Sequence, residues 1–128
     1  MDSDAVVAER FVRTILAKNW DAIEGQMSTE MQFRALLPGS VVEVERRDAV
    51  VGELSDWFGP EIHIDSIDAV DVDSIGDKQR VSFRITARSE GNEQRYELEQ
   101  YFYLVVDDGE VQRADVLCSG WTAVTDDA

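Results

Sequence analysis

The sequence predicts an α+β domain in which helices come first and cover one face of a largely antiparallel sheet. Three observations carry this prediction. Three segments before residue 60 place apolar residues at helical spacing. After that point the pattern changes to two-residue alternation. The joints between the later segments, Ser74-Ile75-Gly76-Asp77, Glu90-Gly91-Asn92 and Asp107-Asp108-Gly109, are hairpin-type turns, which make successive strands antiparallel neighbours.

Residues 4–18 read as a helix, with Val6, Val7, Phe11, Val12, Ile15 and Leu16 on one side and Glu9, Arg10, Arg13 and Lys18 on the other. Ser3 or Asp4 is its expected cap and Asn19 its expected stop. A short second helix carries Trp20, Ile23 and Met27 on one face. Residues 31–37 and 41–45 are extended, with a turn at Pro38-Gly39. Residues 46–59 form a third helix, capped by Asp48, with Val50, Val51, Leu54, Trp57 and Phe58 as its apolar stripe. Gly59-Pro60 ends it. Four strands follow, at 62–72, 79–89, 94–106 and 110–123.

The alternation assigns faces. Val81, Phe83, Ile85 and Ala87 share the inner row of one strand, and Tyr96, Leu98, Gln100, Phe102, Leu104 and Val106 that of the next. A turn near Gly91-Asn92 sets Arg84 opposite Glu99 and Thr86 opposite Glu97. On the closing strand Ala114, Val116 and Cys118 are assigned inward, and Val111, Arg113, Asp115, Leu117 and Ser119 outward. A bulge would flip part of that assignment, and Gly120 is a site for one. Tyr101, Tyr103, Val105 and Leu117 give the outer row an apolar patch, which suits a homodimer interface on the open sheet face.

The 128 residues are expected to form a single domain, 1–128, with an ordered core at about 4–123. Acid outnumbers base 27 to 12, a net charge of −15. That balance disfavours nucleic acid and anionic membrane surfaces as partners. It suits either a basic partner or plain solubility. Cys118 is the single cysteine, so no internal disulfide is possible, and a reducing, cytoplasmic setting is expected. The opening MDSDAVVAERF lacks the apolar stretch of a signal peptide.

The helix pair FVRTILAKNWDAIEGQM, the inserted helix RRDAVVGELSDWF and the closing strands YFYLVVDDGEVQRADVLCSGW, in that order, resemble the nuclear transport factor two-like superfamily, over about residues 4–123. This cystatin-like group includes the ketosteroid isomerases and the polyketide cyclase-like proteins. The resemblance implies a curved antiparallel sheet wrapped around the N-terminal helices, a cone-shaped cavity and frequent dimers. It does not supply a function, because the superfamily hosts isomerases, dehydratases, cyclases, epoxide hydrolases, carriers and associative domains. The groups that point into the cone decide.

Ketosteroid isomerase-like members use a base carboxylate on the first strand, with an oxyanion hole made by a helix-one tyrosine and a neutral strand acid. The matching positions here fall at Ala35 or Leu36, Phe11 and Phe102, and none of these side chains moves a proton. Hydrolase-like and cyclase-like members use acids, sometimes with Arg, on the last strands. Asp115, near Arg113 or Arg84, is the catalytic candidate here, and it requires a bulge to turn it inward. His63 alternates with Ile62 and Ile64 and so faces away from the core. One His and one Cys cannot make an ordinary metal site, and DAVDVD at 68–73 lacks a calcium-loop spacing, so no metal or cofactor is expected. Cys118 reads as a small core thiol.

Gln100 is the one polar residue of its inner row, placed either to orient a ligand or to pair with backbone. With it, Phe11, Trp20, Phe33, Trp57, Phe58, Phe83, Phe102, Val116 and Cys118 make up the expected pocket lining, although the same aromatics also serve simply to fill a core. The resulting expectation is a non-catalytic domain that dimerises and holds a hydrophobic small molecule. Two alternatives stand beside it. One is an isomerase-, cyclase- or dehydratase-like enzyme on a polycyclic or aromatic substrate. The other is a protein-association domain using the outer sheet face.

Overall fold

The computed structural model describes residues 3–125. Helix α1 (Ser3–Leu16) buries Ala8, Phe11, Val12, Ile15 and Leu16, the stripe its spacing dictates. Its first turn holds Asp4, and Ser3 is already helical rather than a cap. The helix breaks at Lys18, a non-glycine residue at φ 59°. The Lys18 ammonium donates to the Gly59 carbonyl at 2.9 Å and to that of Ile62, which ties this break to the turn after the third helix. Asn19 starts α2 (Trp20–Gly25) rather than stopping α1: its Oδ1 accepts from the Ala22 N–H at 3.2 Å. Met27 is not on α2. It opens strand β1 (Met27–Leu37), four residues earlier than the sequence pattern suggests, because it pairs with Val111 across the sheet.

Strand β2 (Ser40–Glu45) returns from the Pro38-Gly39 turn. Helix α3 (Arg47–Trp57) buries Val50 and Leu54, and Phe58 at its C-terminal cap is buried too. Arg46 occupies its N-cap without a side-chain hydrogen bond, and Asp48 lies in its first turn instead of capping it. Strands β3 (Ile62–Ile75), β4 (Lys78–Ser89), β5 (Arg95–Asp107) and β6 (Glu110–Cys118) follow, with a short β7 (Thr122–Ala123).

The sheet runs β2-β1-β6-β5-β4-β3, with β7 paired to β5, and does not close. The hairpin-linked pairs are antiparallel, and Arg84 faces Glu99 and Thr86 faces Glu97 as expected. One pairing departs from the antiparallel expectation: β1 and β6 are parallel neighbours. Turn residues specify only adjacent strands, and nothing local marks a pairing between strands so far apart in sequence. The edge strand β3 is 14 residues long. Two irregularities, between Ile64 and Ser66 and between Ile67 and Ala69, interrupt its register with β4.

Two bulges reset side-chain parity along the closing strand. Val105 pairs with Arg113 but Val106 pairs with Val111, so Gln112 is an extra residue. That turns Val111 inward, where it is fully buried, and corrects its outward assignment. The second lies where one strand over 110–123 was expected. Cys118 pairs with Gln100 and Thr122 with Glu97, four steps on one side against three on the other. The extra residue falls in Ser119-Gly120-Trp121, and Gly120 has φ 78°. A Cβ there would lie 2.7 Å from Pro38 Cγ, so the close approach also requires glycine.

The helices cover the concave face. Phe11, Val12 and Ile15 of α1 join Val81, Phe83, Ile85, Phe102, Leu104 and Ala114 of the sheet in one buried cluster. No helix among the described residues is long and apolar enough to cross a membrane.

Candidate functional site

The inner row of β5 divides the concave face into two parts. From Phe102 onward the row is sealed: Phe102 and Leu104 are fully buried, and the Phe83 and Phe102 rings stack at 6.0 Å between centroids. Phe11, Phe33, Phe83, Phe102 and Val116 all belong to the packed core, and Trp20 packs against it. None of these six expected lining residues borders the cavity beside Gln100. Close packing of large aromatics fills this part of the interior.

The positions that would carry acid and base lie in this sealed part or outside it. Phe11 and Phe102 are fully buried, Ala35 is buried, and Leu36 points out and is exposed. Asp115 also stays outside. It accepts from Arg34 Nε at 3.3 Å and from Arg113 Nε at 3.1 Å on the convex face. His63 is exposed.

The row opens at Gln100. A cavity of about 180 Å³ lies here. Leu37, Pro38, Trp57, Phe58 and Leu98 wall it, Gln100 and Cys118 supply its polar atoms, and Gly120-Trp121 form its rim. Four of the expected lining residues therefore come together: Trp57, Phe58, Gln100 and Cys118. Trp57 is positioned from both sides, by the Phe33 ring at 5.5 Å and by Nε1 donating to Glu53 at 2.8 Å. Phe58 then meets Trp121 edge-on at 6.5 Å.

Gln100 is 2 % exposed. Its Nε2 donates to Cys118 Sγ at 3.3 Å, and the Gly120 N–H reaches the same sulfur at 3.4 Å. Its Oε1 accepts from nothing. A buried acceptor left without a donor costs about 1–3 kcal/mol. Gln26 Oε1 and Arg80 Nε are the other orphaned side-chain atoms among the described residues, and neither borders this cavity. The arrangement can grip a flat apolar molecule and accept one hydrogen bond from it. No carboxylate, imidazole, ammonium or guanidinium lines it.

Leu37, Pro38, Leu98, Gly120 and Trp121 were not expected at the site. Leu98 shares the Gln100 row and was legible by parity. Trp121 was not, because its direction depends on the Gly120 bulge: without the extra residue it would share the outward row of Ser119.

The convex face is electrostatically ordered. Arg88 binds Asp65 through two nitrogens at 2.9 and 3.0 Å, and this holds the Asp65 carboxyl below its ordinary range. Hydrogen bonds from Thr86 and Ser66 lower that of Asp68. Glu99, at 3.1 Å, raises the Arg84 guanidinium. Among the described residues no group of three or more His, Cys, Asp or Glu is placed to hold a metal ion.

No protein-family model and no curated protein sequence matches the chain. Solved structures match it over most of its length. A candidate isomerase from Bacillus subtilis superposes with a TM-score of 0.77 at 17 % identity, covering 93 % of this chain and 90 % of its own. A candidate polyketide cyclase from Xanthomonas campestris gives 0.71 at 16 %, covering 90 % and 89 %. A nuclear transport factor two-like protein from Burkholderia xenovorans gives 0.69 at 11 %, covering 91 % and 89 %. The chain has the nuclear transport factor two-like fold.

Proposed function

We propose that the protein is a non-catalytic binding module that holds a flat, apolar small molecule carrying one hydrogen-bond donor. The observation that carries this reading is Gln100, a buried amide with an orphaned Oε1, among the residues that border an otherwise apolar cavity. A ligand O–H or N–H offsets the cost of that acceptor, whereas a hydrocarbon does not.

The test is thermal shift with matched pairs of aromatic alcohols and hydrocarbons. The alcohols raise Tm more, and Gln100→Leu removes the difference. Absence of a shift with every compound rejects the reading.

The second reading is an enzyme of the isomerase or cyclase kind, which the names of two structural neighbours favour. It needs an ionisable group at the cavity, and Cys118 is the one candidate there. Turnover of a polycyclic or aromatic substrate that Cys118→Ser abolishes would favour it.

We further propose a homodimer through the convex face. Leu36, Val41 and Leu117 are 52 %, 60 % and 46 % exposed there, and together with Tyr103 they border one shallow groove. Sedimentation equilibrium tests it, and a monomer at micromolar concentration rejects it. A cytoplasmic, reducing location suits the single thiol.

A further inference from the structure

A second cavity, of about 300 Å³, lies on the same concave side. Ile62, Ala87 and Tyr96 give it an apolar floor, and Ser89 and Asn92 give it a polar rim. Trp121 is the one residue that borders both this cavity and the Gln100 cavity. The indole is thus a wall between two spaces, not a cap over one.

Its attachment suits a wall that moves. Trp121 is 40 % exposed, and its ring contact is an edge-on one with Phe58. The backbone on either side is anchored to β5, by the Ser119 N–H on the Glu99 carbonyl and the Val124 N–H on the Arg95 carbonyl, each at 2.9 Å. The side chain can therefore turn without breaking the sheet, and turning of an exposed side chain is fast.

Volume says what this is for. An apolar cavity of roughly 150 Å³ takes one benzene ring. The Gln100 cavity, at about 180 Å³, is little larger. Pockets that bury a drug-sized ligand run to about 300–1,000 Å³. The second cavity alone only reaches the lower limit of that range, and the two joined lie well inside it.

Resting on the binding reading above, we propose that Trp121 is a movable partition within one long site. Its ligand is an elongated, flat, uncharged molecule with a hydroxyl at each end. One hydroxyl donates to Gln100 Oε1. The other reaches the Ser89, Asn92 and Tyr96 end. The far end offers no free cation to an anionic group: the Arg88 guanidinium is paired with Asp65 on the convex face, and the chain carries a net charge of −15.

The test is calorimetric titration of the full chain with 2-naphthol, as a short probe, and 4,4′-dihydroxystilbene, as a long one. Ser89→Trp fills the second cavity. It should weaken the stilbene about tenfold or more and leave naphthol nearly unchanged. Trp121→Ala removes the partition and should strengthen the stilbene by roughly tenfold, because the open state no longer has to be selected, while naphthol weakens. Should Ser89→Trp fail to fold by circular dichroism, Asn92→Trp in the turn fills the same space.

If the ratio of the two affinities is unchanged in the cavity-filling and Trp121→Ala variants, while both probes still lose affinity in Gln100→Leu, the partition is overturned and the Gln100 site stands. Binding of naphthol alone, in wild type and in Trp121→Ala, overturns it as well. Binding of neither probe to the wild type rejects both readings.

Discussion

Phe102 and Gln100 are neighbours on one row of one strand, both almost completely buried, yet they belong to different kinds of interior. Phe102 is closed in by Phe83 and shares the buried cluster with Phe11 of α1. Gln100 is bonded to a sulfur and borders unfilled space. One row of a curved sheet thus passes from core to site within two residues. Burial alone does not distinguish them. Whether each polar atom has a partner does.

The comparison can be broken by substitution. The largest expected effect is Phe102→Ala, which should cost about 3–5 kcal/mol in urea denaturation, because the tightly packed surroundings cannot collapse into the space. A loss under 1 kcal/mol would mean that the sealed part is loosely packed after all. Next is Gly120→Ala. A side chain at its left-handed φ, facing Pro38, should cost roughly 1–2 kcal/mol by the same measurement and release the Trp121 indole, read as a red shift in fluorescence.

Gln100→Leu should go the other way and raise stability by about 1 kcal/mol, since it removes an orphaned acceptor while losing the ligand. A destabilisation there would show that the amide is satisfied and would remove the contrast with Phe102.

The smallest effect concerns the convex face. Asp65 has a folded pKa below its ordinary value of 3.8, so its contribution to stability is fully present above that value and is lost as pH falls through the folded pKa. Asp65→Asn should therefore lower stability slightly at pH 7 and flatten its decline in acid, measured by urea titrations from pH 7 downward. An unchanged pH profile would count against the Arg88 pairing.

Much of this was readable from residue order. Alternation on β4 and β5 gave the inner rows. The Gly91-Asn92 turn gave the register of Arg84 with Glu99. The stripe on α3 delivered Trp57 and Phe58 to the site. The depth of each inner residue was not readable, because alternation assigns a face but not what stands opposite it. Phe11, Phe33, Phe83 and Phe102 therefore read either as lining or as filling, and they lie in the packed core. The parallel β1–β6 pairing carries no local signal. Trp121 needed a count of residues against β5 that only the observed pairing supplies.

The long edge strand β3 bears on behaviour in crowded solution. A 14-residue strand with one unpaired side is a template on which a second chain can add. Its two register breaks interrupt that template, and Asp65, Asp68, Asp71 and Asp73 outnumber Arg80 and Arg88, the cations that pair with three of them, so the strand keeps a negative excess. The breaks persist at any pH, but the charge does not. Acidification should thus bring self-association before it brings unfolding, as turbidity that appears while circular dichroism is still native and that Ile67→Lys, at an exposed position between the aspartates, suppresses.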